Sequence, residues 1–148
     1  MKRIMCIFFF LLSLGAVCTS AETIYTVRTV SVFSSPQGQE LGRIYAGTAV
    51  NAGEEQSGFR RIKLASLTAY AEADAFSAVQ GRNETQTAQA LSPYGTETLI
   101  LCDKPSDSCS TIGVLRAGET VRILGSFNGF CFVQSKSGSG FLSLQEIK

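Results

Sequence analysis

The chain has no histidine and no tryptophan, only three prolines, and modest charge, with Asp, Glu, Lys and Arg making up 17% of residues. Each shortage excludes something. Without histidine, a serine or cysteine nucleophile has lost its usual base. Zinc has likewise lost its commonest nitrogen ligand. The remaining paired carboxylates, Glu54-Glu55 and Glu72 with Asp74, fall in or beside expected turns, where charges are ordinarily solvated. No phosphate-cradling glycine motif occurs. No catalytic residue, metal or cofactor is therefore expected. Thirteen basic residues face twelve acidic ones, interspersed along the chain, which gives nucleic acid no basic surface to meet.

What is present begins with a targeting pattern. Lys2 and Arg3 precede the apolar run Ile4–Leu12, and Thr19-Ser20-Ala21 offers small residues for cleavage. That order is a secretory signal peptide over 1–21. The apolar run falls short of the roughly 20 residues a membrane helix needs, so no stable membrane span is expected. Cys18 raises the alternative of lipid attachment, although Val17 stands where a small residue is usual. A periplasmic or secreted location follows, in an oxidising compartment where disulfides persist. Three cysteines remain after Ala21, namely Cys102, Cys109 and Cys131.

The mature part repeats itself at an offset of 71 residues. Gly42 aligns with Gly113, Gly47 with Gly118, Val50 with Val121, Gly58-Phe59 with Gly129-Phe130, and Ile62 with Val133. Tyr70 aligns with Phe141 and Phe76 with Ile147. Each copy consists of short stretches rich in Val, Ile, Thr, Phe and Tyr, bounded by Gly, Ser, Asn and Pro, a strand pattern. Strands are expected at 25–33, 41–46, 49–52, 59–64 and 69–71, and again at 98–102, 111–115, 120–124, 130–134 and 140–142. Asn128-Gly129 reads as a two-residue hairpin turn. The polar stretch 77–97 reads as a linker with one helical turn near 87–91. Five short strands per copy favour a small closed barrel.

The order of an apolar strand, Ser34-Ser35-Pro36, Leu41 to Val50, Gly58-Phe59 with Ile62, and Ala69-Tyr70-Ala71 resembles the bacterial SH3 (SH3b) domain. The second copy repeats it with Ile112 to Val121, Gly129-Phe130 with Val133, and Gly140-Phe141-Leu142. The resemblance implies an all-β protein of two small SH3-like β-barrels, 22–76 and 98–148, in tandem across a short polar linker, 77–97. It also implies a binding role, with peptidoglycan as one ligand class. The family's tryptophans are replaced here by Phe59, Phe130, Tyr70 and Phe141. Cys102 and Cys109 flank the family's long first connection, and a disulfide between them is expected in preference to a metal site. Cys131, beside Phe130, reads as a buried free thiol, with pairing to another cysteine left open.

Aromatic and basic residues form the candidate binding surface: Phe59, Arg60, Arg61, Tyr70, Phe130, Phe132 and Phe141. Phe130 and Phe132 alternate with Cys131 and Val133, so one of the two faces is expected to lie open. The function this predicts is a non-catalytic exported adaptor that binds an envelope protein or peptide. Peptidoglycan binding is the alternative, and a cysteine-dependent wall hydrolase is a third reading that lacks its base.

Overall fold

The computed structural model describes residues 22–148; the export segment expected over 1–21 lies outside them. The strands are β1 (Glu22–Thr26), β2 (Val30–Phe33), β3 (Glu40–Ile44), β4 (Ala49–Gln56), β5 (Phe59–Leu64), β6 (Leu67–Glu72) and β7 (Phe76–Ser77). They continue with β8 (Gln86–Gln89), β9 (Thr98–Cys102), β10 (Thr111–Arg116), β11 (Thr120–Phe127), β12 (Phe130–Ser135) and β13 (Gly138–Ser143). Single 3-10 turns follow β6 at Ala73–Ala75 and β13 at Leu144–Glu146. The expected all-β class is what the structure has. Pairing is antiparallel throughout and runs β10-β9-β13-β12-β11-β3-β2-β6-β5-β4-β1-β7, with β8 also on β11.

The repeat reaches the backbone. Strands β4, β5 and β6 and their 3-10 turn stand 71 residues before β11, β12 and β13 and theirs. Both long strands break register at the same place, between Ala52 and Glu55 and between Ile123 and Gly125. Gly47 (φ 86°) and Gly118 (φ 88°) turn the chain alike, in a region that costs glycine little. Their N–H groups donate to Thr26 O at 2.7 Å and Ala90 O at 2.6 Å. Val27 N to Ala75 O (2.8 Å) is likewise repeated by Leu91 N to Glu146 O (2.7 Å).

Those bonds extend the second unit further back than the sequence pattern did. Ile24 faces Val50 in the first unit, and Ala88 faces Val121 in the second. So β8 is the counterpart of β1, and the stretch expected as a linker supplies the second unit's first strand. No helical turn forms near 87–91; the chain there is extended. The cause is pairing with β11, which gives Gln86–Gln89 a hydrogen-bonded partner that local propensity does not register. The single run expected over 25–33 is two strands, because Val27-Arg28-Thr29 carries the chain from β4 to β3. At the β4–β5 turn Ser57 and Gly58 both take positive φ, whereas in the second copy Gly129 does and Asn128 does not.

The units are joined by sharing a strand. The first half of β11 pairs with β8, and its second half pairs with β3 of the other unit, Gly125 facing Ile44 and Phe127 facing Gly42. Thr48, fully buried, donates through Oγ1 to Leu124 O at 3.0 Å, and Tyr45 N donates to the same oxygen at 2.8 Å. The second unit keeps a core of its own around Leu99, Leu101, Leu115, Val121, Val133 and Leu142. The first unit's core, around Val30, Val32, Ile44, Ile62 and Leu64, is continuous with Phe127, Phe132 and Phe141 of the second.

Candidate functional site

The parity of strands decides which aromatic rings are free. In the first unit, Val30 and Val32 of β2, Ile62 and Leu64 of β5, and Ala69 and Ala71 of β6 point inward. Phe33, Phe59 and Tyr70 therefore stand on the outer face, each half-buried. Phe33 is directly across from Tyr70, and Tyr70 directly across from Arg61, so ring, ring and guanidinium make one row over β2, β6 and β5. Phe59 packs edge-on against Phe33, centroids 6.0 Å apart, a geometry favoured by the ring quadrupole. Beside this row Arg28 pairs with Glu72 and, at 2.9 Å, with Asp74. A cleft of about 220 Å³ runs from Phe33 to Arg28 and Arg43.

The other end of the platform is basic. Arg61 and Lys63 are exposed on β5. With Asn51, Gly53 and Thr68 they line a cleft of about 350 Å³. Lys63 is in register with Asn51 on one side and Thr68 on the other. Neither cation has a carboxylate partner among the described residues. Arg60 has the inward parity and belongs to the rim, opposite Ala71 and Glu55.

The same face of the second unit is filled. Phe132 stands where the first unit has Arg61, and Phe141 where it has Tyr70; they are only 3% and 0% exposed. At the centre of β12 both faces are thus covered, at Phe132 as at Cys131 and Val133, contrary to the expectation that one would lie open, because the first unit packs on Phe132. Gln134, farther along the outer face, is exposed. Phe141 is wedged between Phe127 (5.1 Å) and Phe132 (5.0 Å). Phe130 is half-buried against the same cluster. Of the seven expected site residues, the structure brings Phe59, Tyr70 and Arg61 onto one open face. It adds Phe33 and Lys63, which β-strand alternation along Val30–Phe33 and Phe59–Leu64 already signals. It assigns Phe132 and Phe141 to the interior.

Cys102 and Cys109 are joined by a disulfide, Cα atoms 5.5 Å apart. Cys102 occupies the place opposite Phe141 that Phe33 has opposite Tyr70. The loop it closes meets the first unit, Asp103 O accepting from Ser66 N at 3.0 Å. Cys131 is free and buried, and burial pushes its thiol above its ordinary value, which keeps it protonated and a poor nucleophile. No group of three or more His, Cys, Asp or Glu residues gathers as a metal site among the described residues. Among them, too, no helix is long and apolar enough to cross a membrane.

No family model and no curated protein matches the chain. Among solved structures it is similar to NlpC1 from Trichomonas vaginalis, at 15% identity and a TM-score of 0.40, over 96% of this chain and 50% of that one. NlpC2 from the same organism is similar at 17% identity and a TM-score of 0.38, over 88% of this chain and 48% of that one. The chain thus spans about half the length of each. At these values the likeness transfers neither an activity nor a ligand.

Proposed function

We propose that this protein is a non-catalytic, exported binding module that takes an extended peptide segment of an envelope protein on the Phe33–Tyr70–Phe59 face of its first unit. One observation carries the reading. The two units present the same face, and in the second it is buried by an intramolecular partner, so the fold itself uses this surface for docking. In the first unit the rings remain half-buried, with no partner unit packed over them among the described residues. Grouped, partly exposed aromatics of this kind serve recognition. The disulfide suits an oxidising compartment, and the absence of histidine argues against nucleophilic chemistry on the platform.

Photo-crosslinking in cells tests the proposal. A photoreactive phenylalanine analogue at Phe59 or Phe33 is expected to capture a discrete protein adduct, whereas one at Phe141 captures only the chain itself. Adducts from neither Phe59 nor Phe33 would remove the reading. Co-sedimentation with peptidoglycan sacculi that is lost in Tyr70→Ala would reassign the face to the cell wall.

A further inference from the structure

We propose that the ligand of this face is an acidic peptide: an extended segment whose apolar side chain rests on Phe33 and Tyr70 while a carboxylate a few residues away enters the cleft of Arg61 and Lys63. The inference rests on the binding role proposed above and names the chemistry of its ligand. Charge complementarity carries it. Arg28 and Arg43 beside the platform are neutralised by Glu72, Asp74 and Glu40. Arg61 and Lys63 have no such partner among the described residues. Their cleft is otherwise edged by the neutral polar groups of Asn51 and Thr68. The Arg61 guanidinium lies across Gly53, where an added Cβ would stand 3.2 Å from Nε.

The second unit supplies the contrast. There Arg61 is replaced by the buried Phe132 and Lys63 by the exposed Gln134, so this pair of cations belongs to the open copy alone. Spacing follows from the sheet. Phe33, Tyr70 and Arg61 lie on adjacent strands, each about 4.8 Å from the next, so the row is roughly 10 Å long. An extended peptide advancing about 3.3 Å per residue covers that in about three residues.

The test uses the purified protein and fluorescent nonamers of Gly and Ser carrying one Phe and one Glu at separations of one to six, each with its Gln isostere. Fluorescence polarisation at low salt is expected to show the separation-three Glu peptide binding at least about tenfold tighter than the Gln peptide. The gap should shrink below about twofold in an Arg61→Gln/Lys63→Gln variant whose thermal melt is unchanged. Equal binding of the Glu and Gln peptides to the wild-type protein overturns the inference. If that equality is accompanied by loss of both in Tyr70→Ala, the aromatic reading stands and only the acidic ligand falls. If no peptide of the set binds the wild-type protein, both fall together.

Discussion

Tyr70 and Phe141 occupy the same place in two copies of one unit, yet their rings meet different surroundings. Phe141 is fully buried between Phe127 and Phe132, and truncating a buried phenylalanine costs about 3–5 kcal/mol. Phe141→Ala should lower stability by that amount in urea denaturation. Tyr70→Ala should cost well under half as much while removing ligand binding by the first unit. Equal losses at the two sites would mean that the platform is structural. Cys131 offers a pH test. Burial raises its thiol above the ordinary 9.0, so the unfolded chain releases this proton at a pH where the folded one still holds it. Stability should therefore fall as pH rises through 9.0, and Cys131→Ala should flatten that alkaline limb in a series of thermal melts.

At the scale of elements, β11 carries the joint between the units. A Cβ at Gly125 would stand 2.5 Å from Arg43 O, and one at Gly42 2.6 Å from the Phe127 ring. Both glycines are there because the strands approach too closely for a side chain. Gly125→Ala should destabilise by about 1–3 kcal/mol through overpacking, and the loss should show as exposure of the aromatic cluster to a dye such as ANS. The matching residues of β4 are Glu54, Glu55 and Gln56, whose outer edge pairs with no strand among the described residues; the charges of Glu54 and Glu55 blunt it. The Cys102–Cys109 loop is a second tie between the units. Its sequence separation of 7 makes the cross-link worth about 2.5 kcal/mol by chain entropy. Reduction should lower the melting temperature, and so should Cys109→Ser.

The whole molecule is two copies that cannot be separated cleanly. A fragment of residues 95–148 lacks β8, which pairs with β11, and the fully buried Ala90 that follows it. It also bares Phe127, Phe132 and Phe141. It should not fold cooperatively in circular-dichroism melts, even oxidised, whereas the intact chain should melt in one transition. A folded, monomeric fragment would show that the shared strand contributes little.

The sequence by itself determined the β class, the repeat and most strand positions, because alternation and turn glycines are local properties. The parity that puts Phe59, Arg61 and Tyr70 on one face was legible in the same way. Asn128 illustrates the limit, since its hairpin formed without the positive φ its residue type permits. Strand β8 escaped notice because Gln86-Thr87-Ala88-Gln89 is polar and earns its conformation only from β11. Most of all, equivalent sequences predict equivalent faces, and the fold breaks that symmetry. One unit's outer face must be covered when two units share a strand, and contact between residues far apart in the chain decided which. It buried the copy with phenylalanines at 132 and 141 and left open the copy with arginine and tyrosine, since burying rings gains free energy and burying unpaired charge costs it.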